Sequence, residues 1–188
     1  MADPAGEVDL HLTTRTADYS CGTVIADVVA PPPIGRLLVV SHGNYWPWWA
    51  ERERELQAVA VVRRLEELVA DEPAHVVVGG DMNAEPSASS MQFWTGRRSL
   101  EGVSTAYRDC WESIHGAAGG VTVDPANPLT HHDEPDLNRG RRIDYLLVGC
   151  HAHGPTLRIL DCAVVLDQPV DGILPSDHYG VVADLAPH

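Results

Sequence analysis

Residues 75–83 read HVVVGGDMN, an apolar run that ends in the polar group Gly-Asp-Met-Asn. A continuous run of β-branched residues is typical of a strand that is buried on both faces. A carboxylate beside such a run costs free energy unless it is paired or binds a metal ion. By itself, however, this group is also typical of a strand-ending turn, because Asp and Asn side chains bond to nearby backbone.

The same combination of apolar run and polar residue recurs elsewhere in the chain. Three runs carry a His or Asp at or near one end: LLVVSH (37–42), RIDYLLV (142–148) and PSDHYGVVADL (175–185). Strand ends are places where a rigid scaffold holds reactive side chains. A single Asp in a strand is more often an exposed residue, so only the ordered set indicates chemistry.

The remaining pattern predicts a layered α/β or α+β protein that forms one domain over residues 1–188. Residues 51–70 have apolar side chains at helical spacing, with charges on the other side, and predict the main helix. A second helix is expected to begin before residues 91–94, and residues 97–142 are expected to be loop-rich. Strands are predicted at 22–30, 37–41, 75–79, 143–148, 157–166 and 180–185, the first two forming a hairpin.

Charge and composition narrow the classes of partner. The 188 residues carry 27 acidic and 13 basic side chains, a formal net charge of −14, which repels long nucleic acid. No apolar run approaches the roughly 18 residues of a membrane span, so no membrane partner is expected. The four cysteines have no zinc-type spacing and the start MADPAGEVDL has no signal-peptide pattern, which together predict a cytoplasmic protein.

The ordered motifs resemble the endonuclease/exonuclease/phosphatase family, metal-dependent phosphoesterases related to deoxyribonuclease I. The resemblance runs from about Leu37 to Leu185. It rests on five elements: VVSH, Arg54-x-x-Gln57, GGDMN, RIDYLLV and PSDHYGVVADL. Membership implies a four-layer α/β/β/α sandwich of two mixed sheets. It also implies hydrolysis of a phosphoester substrate, either a small molecule or nucleic acid.

The resemblance implies a role for each polar residue of these motifs. His178 is expected to be the general base that activates water, and Asp144 is expected to orient its imidazole. Asp81 is expected to position the attacking water or to adjust its protonation.

The same resemblance implies a divalent cation and phosphate-binding groups. Asp177 is expected to bind Mg²⁺ (or Mn²⁺), hard ions that prefer oxygen ligands. Asn83 is expected to donate a hydrogen bond to a non-bridging phosphate oxygen. His42 is expected to do the same, or to assist the leaving group, when it is protonated.

The chain departs from the family before His42. A strand with an asparagine and a second strand ending in Gln-Glu normally precede this point, and the glutamate is the main metal ligand. In residues 1–41 of this chain, Glu7 is the only glutamate and there is no asparagine. The sequence therefore predicts that the N-terminal part of the domain is lacking. A catalytically impaired remnant, acting as an interaction domain or a homo-oligomer through an open sheet edge, is therefore the alternative. A fragment of a longer product is a third, weaker reading.

Three smaller clusters remain open. Arg139, Arg141 and Arg142 could meet a substrate phosphate, or could pair with the acidic stretch at 133–136. The tryptophans at 46, 48 and 49 could stack a base or sugar, or could cover an apolar surface. The pairs at 131–132 and at 151 and 153 are predicted to be surface histidines, because they lack further ligands at recognised spacing.

Overall fold

A computed structural model describes residues 4–13, 18–130 and 139–188, with side chains from Gly22 onward. The strands are β1 Pro4–Thr13, β2 Asp18–Val29, β3 Arg36–His42, β4 His75–Asp81, β5 Tyr107–Asp109, β6 Asp144–His151, β7 Gly154–Pro155, β8 Arg158–Val165 and β9 Gly180–Ala186. The helices are α1 Glu51–Asp71, α2 Ser89–Trp94 and α3 Cys110–His115. None of the described helices is long and apolar enough to cross a membrane.

Seven strands form one mixed sheet. Its order is β1-β2-β3-β4-β6-β5, and β7 pairs with β6. The β3–β4 pair is parallel and the other pairs are antiparallel, because α1 carries the chain from the end of β3 back to the start of β4. The predicted hairpin at 22–41 is confirmed as β2–β3, closed by a hydrogen bond from the Ala30 N–H to the Gly35 carbonyl at 2.8 Å.

The second sheet consists of β8 and β9 in antiparallel pairing. The predicted mixed α/β class is confirmed. Among the described residues this second sheet has only two strands and no parallel pair, so it differs from the mixed sheet that we expected. The four-layer arrangement stays a prediction.

The main core lies between α1 and one face of the large sheet. Ala58, Val61 and Leu65 of α1 are buried against Leu38 and Val78 of the central strands. These positions follow the apolar spacing of residues 51–70, so the predicted helix and the observed one agree to within one residue. A buried leucine in such a core typically contributes about 2–5 kcal/mol relative to alanine.

A second core covers part of the opposite face. Val148 of β6 packs with Cys110 of α3 and Cys162 of β8, and the partly buried Val77 and Val181 join them. Both faces of β4 and β6 are therefore covered, which explains why their sequences are nearly continuous apolar runs. The strands end in polar residues where this double cover stops.

Candidate active site

Asp81 and Asp144 lie side by side at one end of the large sheet. Asp81 is the last residue of β4 and Asp144 is the first residue of β6, and their Cα atoms are partners in the antiparallel register. Residues directly opposite in such a pair share a face. Burial, followed by the negative charge of Asp144, raises the pKa of Asp81 to about 6. The two carboxylates are thus partly buried and so close together that Asp81 is easily protonated.

His178 completes this group. Its Nδ1–H donates to Oδ2 of Asp144 at 3.0 Å, with 29% of the His178 side chain and 19% of the Asp144 side chain exposed. This hydrogen bond is the main cause of a raised pKa at His178, and the charges of Asp144, Asp81 and Asp177 add to it. Because the carboxylate occupies Nδ1, the neutral ring presents the lone pair of Nε2.

The residues present fit a divalent cation. Asp81, Asp144 and His178 each offer a ligand atom, and these atoms lie within 4.8 Å of one another. Two adjacent carboxylates, one of which has a raised pKa, form a site where a bound cation would offset their negative charge. Among the described residues this is the only such group of three. Asp177, our predicted ligand, lies outside it, and its Oδ1 accepts from the Ser176 hydroxyl at 3.2 Å.

Asn83 lies beside Asp81 in a tight turn. Its backbone N–H donates to Oδ1 of Asp81 at 2.8 Å, and its Nδ2 donates to Oδ2 of Asp81 at 2.9 Å and to the Asn44 carbonyl at 3.1 Å. Its φ of 46° is in the left-handed region that asparagine tolerates. Both amide hydrogens are thus used within the protein, so a phosphate contact from Asn83 requires one of these bonds to be exchanged.

His42 lies apart from this group, on the helix-covered side of the sheet. Ser41 is opposite Gly79 in the register, so the alternation of side chains places Asp81 on one face and His42 on the other. The His42 side chain is buried, its Nδ1 is 2.8 Å from the Thr23 hydroxyl, and its ring is 6.0 Å from that of Trp94. Burial lowers its pKa to about 4, so the ring is neutral near pH 7.

Gly80, which directly precedes Asp81, has no room for a side chain. A Cβ added at Gly80 would lie 2.0 Å from the His42 carbonyl oxygen, and its φ of +148° is strained for other residues. β3 and β4 therefore approach too closely at this point for any side chain. The glycine is needed to bring Asp81 to the end of β4 in the observed position.

Two residues of the loop before β6 hold the site together, and the sequence analysis missed both. The buried Thr122 accepts the backbone N–H of Asp144 on Oγ1 at 3.2 Å, and its carbonyl accepts the N–H of Tyr179 at 2.7 Å. Asn127 donates from Nδ2 to the carbonyls of Ser176, at 3.0 Å, and Asp177, at 3.3 Å. One loop thus positions both Asp144 and His178. No spacing or apolar pattern marks Thr122 or Asn127 in the sequence.

The order and geometry of these residues agree with a family comparison. The sequence model described as "Endonuclease/Exonuclease/phosphatase family" matches residues 3–178, which is most of the chain. The chain belongs to this family. The predicted family resemblance is therefore confirmed. The match covers residues 37–178 of the stretch from Leu37 to Leu185 and also includes β1 and β2.

Solved structures show the same fold. The human Nocturnin catalytic domain with bound sulfate aligns over 99% of this chain with a TM-score of 0.68 and 16% identity. The mannosyl-6-phosphatase of Bacteroides thetaiotaomicron aligns over 98% with a TM-score of 0.66 and 17% identity, and truncated TDP2 of Caenorhabditis elegans over 99% with a TM-score of 0.63 and 18% identity. The chain spans 60%, 67% and 67% of these three structures, respectively. No curated protein matches the sequence significantly.

A pocket of about 270 Å³ opens next to Asn83 in this family member. Trp46, Trp48, Arg139 and Arg141 are among the residues that line it. The guanidinium of Arg141 lies 5.7 Å from the centre of the Trp48 ring. Aromatic faces and guanidinium groups thus meet at a single opening beside the carboxylate–histidine group.

Two arginines of the cluster, Arg139 and Arg142, lie in different surroundings. Arg142 is buried, forms an ion pair with Asp109 and lies 4.9 Å from the Tyr145 ring, so it is part of the protein interior. Arg139 is exposed and forms an ion pair with Glu85 at 2.9 Å. The acidic stretch at 133–136 and the histidines at 131 and 132 lie outside the described residues.

The Arg54-x-x-Gln57 element holds the tryptophan loop. Arg54 is buried and donates to the carbonyls of Tyr45, Pro47 and Trp48, at 3.0, 2.8 and 3.1 Å. Oε1 of Gln57 accepts the N–H of Tyr45 at 3.0 Å. The loop backbone is therefore fixed by α1, while the three tryptophans at 46, 48 and 49 stay 46–64% exposed.

Proposed function

We propose that this chain is a divalent-metal-dependent phosphoester hydrolase in which His178 activates water. The observation that carries the proposal is the 3.0 Å hydrogen bond between His178 and Asp144, directly beside Asp81. Membership of a family of endonucleases, exonucleases and phosphatases supports the reaction class.

The mechanism follows from the arrangement of the three side chains. Nε2 of His178 accepts a proton from a water molecule as that water attacks phosphorus. The ester P–O bond breaks, and the departing oxygen takes up a proton from solvent. Asp144 holds the ring in the required tautomer and stabilises the imidazolium that forms. Asp81 has a pKa of about 6. When its carboxylate is ionised, it accepts a hydrogen bond from the attacking water and so orients that water.

A divalent cation suits the same end of the sheet. Asp81 and Asp144 would hold Mg²⁺ or Mn²⁺ through carboxylate oxygens, with Asp177, which lies outside the group of three, as a further ligand. The cation supplies positive charge to the phosphate oxygens when it is bound.

The pocket beside Asn83 favours a small phosphoester over long nucleic acid. Trp46 and Trp48 offer flat faces for a base or sugar, and Arg141 offers a guanidinium for a phosphate. The net charge of −14 opposes the approach of a long polyanion. Two structures of the same fold support a compact anion, since one holds a sulfate and one is a sugar-6-phosphatase by name.

Hydrolysis of bis-(p-nitrophenyl) phosphate and p-nitrophenyl phosphate, with Mg²⁺ or Mn²⁺, tests the proposal. His178→Gln should lose activity, while His153→Gln, at an exposed histidine, should keep it. Asp81→Asn should lose activity and Asp184→Asn, at an exposed aspartate of β9, should not. Equal activity in wild type and His178→Gln, or no activity in the wild type, would contradict the proposal.

A self-associating interaction domain is the second candidate. The sheet face near β9 has a groove of about 390 Å³ lined by Val39, Gly79, Leu146 and Val181, and Val39 is 42% exposed there. In the described residues β1 pairs on one side only, so its other edge is open to a further strand. Light scattering after gel filtration should then show a dimer that Val39→Glu dissociates, with no metal-dependent hydrolysis. A monomer with metal-dependent hydrolysis would exclude it.

A further inference from the structure

A group of histidines lies at the end of the large sheet that is remote from the candidate active site. His75 is the first residue of β4 and His151 is the last residue of β6, whereas Asp81 and Asp144 occupy the opposite ends of these strands. The two ends of β4 are six residue steps apart, or about 20 Å at the rise of a strand. The histidine group is therefore independent of the hydrolytic site.

Four imidazoles line one cavity of about 380 Å³. They belong to His75, His151, His153 and His188. His188 follows β9 by two residues, so the cavity joins the large sheet to the last strand of the small one. The sequence spacing alone does not show this group, because the histidines come from three separate segments.

In two of these histidines one ring nitrogen is not used in a hydrogen bond. Nδ1 of His75 is buried and has no hydrogen-bond partner. Nε2 of His188 lies 2.9 Å from the carbonyl oxygen of Pro155, so it carries the proton and leaves the lone pair on Nδ1. A histidine that binds a metal ion usually donates its other N–H to such an acceptor, which sets its tautomer and ring orientation.

His75 also interacts with two other histidines of the group. Burial lowers the pKa of His75, and positive charge on His151 and on His188 lowers it further, while a backbone hydrogen bond at Ile34 opposes this effect. His75 thus lies within electrostatic reach of both rings.

We propose that His75, His151 and His188 bind a borderline transition-metal ion, such as Zn²⁺, that clamps β4, β6 and the segment after β9 together. Three imidazoles form a known zinc ligand set that leaves a fourth position for water. No Asp or Glu side chain lines the cavity, which disfavours Mg²⁺. The ligand atoms of the three rings do not all lie within 4.8 Å of one another in the described structure, so binding requires the exposed side chains of His151 and His188 to rotate towards His75.

Calorimetric titration of the full chain with Zn²⁺ tests this proposal. Each protein is titrated in excess Mg²⁺ and again with Asp81→Asn/His178→Gln added, because Zn²⁺ would displace Mg²⁺ from the carboxylate–histidine group at the other end of the sheet. The double variant His151→Ala/His188→Ala should bind Zn²⁺ at least about tenfold more weakly than the wild type, since even loss of an outer partner of a zinc ligand lowers affinity by that factor. The control is His115→Gln, at an exposed histidine of α3 that does not line the cavity, and it should bind as the wild type does.

Thermal unfolding provides a second measurement that reports the clamp itself. Zn²⁺ should raise the midpoint for the wild type and for the control, because a ligand that binds only the folded state stabilises it. It should not raise the midpoint for the double variant, or for His151→Ala alone if the double variant fails to fold. Equal zinc affinity in His151→Ala and wild type, or loss of binding in the control instead, would overturn the proposal.

Discussion

Asp144→Asn tests the central hydrogen bond of the site with almost no change in side-chain shape. The 3.0 Å bond from His178 to the carboxylate is charge-assisted and partly shielded from water. Loss of such a bond costs about 1.5–3 kcal/mol, which corresponds to a rate decrease of about 10- to 150-fold. The asparagine amide also favours the wrong tautomer of the ring, an effect that reaches about 10⁴-fold in a serine protease triad. We therefore expect kcat to fall by about 10²- to 10⁴-fold.

The pH dependence of the residual activity distinguishes this effect from general damage. His178 acts as a base only when it is neutral, and its bond to Asp144 raises its pKa. Removing the charge lowers this pKa, so the acidic limb of the kcat profile should move to lower pH. The pKa of Asp81 should fall as well, because Asp144 contributes to raising it, and this shifts the limb in the same direction.

The assay is hydrolysis of p-nitrophenyl phosphate or its diester at saturating metal, whichever the wild type cleaves, over a range of pH. Saturation with metal separates the effect on kcat from weakened metal binding. Asp184→Asn makes the same chemical change at an exposed position of β9 and should leave kcat and its profile unchanged. Wild-type kcat in Asp144→Asn, or a shift of the acidic limb to higher pH, would refute the assigned roles of Asp144 and His178.

Three further substitutions test the fold and the support of the site. Leu65→Ala should lower the free energy of unfolding in urea by about 2–5 kcal/mol, because Leu65 is fully buried between α1 and the sheet, and a change below 1 kcal/mol would contradict that packing. Thr122→Val should cost about 1–3 kcal/mol by leaving backbone N–H groups unpaired, and should also lower kcat, whereas Thr122→Ser should restore both. Arg54→Lys should free the tryptophan loop, which would raise KM more than it lowers kcat and broaden the tryptophan emission. An unchanged KM in Arg54→Lys would show that the loop takes no part in substrate binding.

The carboxylate end of the site was predictable because strand ends leave a local pattern. Asp81 and Asp144 each border an apolar run, and strand pairing then places them side by side. His178 also precedes an apolar run, but only the family resemblance paired it with Asp144, which is 34 residues away along the chain. The roles assigned to these residues stay predictions until the kinetics are measured.

The position of His42 was not predictable from the same kind of pattern. It also borders an apolar run, but the alternation of side chains and the close approach at Gly80 turn it towards Trp94 and the core. A shift of one residue along a strand changes the face on which a side chain lies. The position of a motif thus locates the end of a strand, but not the face of the sheet on which the side chain lies. The elements β1, β5 and α3 were missed because short or weakly patterned segments form through their neighbours.

The sequence by itself determined the family, the main helix, the principal strands and the order in which polar residues follow them. These properties depend on local periodicity and on motifs, both of which can be read along the chain. Only the tertiary structure decided that Thr122 and Asn127 hold Asp144 and His178, that Arg142 is internal, and that four distant histidines line one cavity. Such contacts join residues that are far apart in the sequence, and they exist only after the sheets have packed and the loops have closed over them.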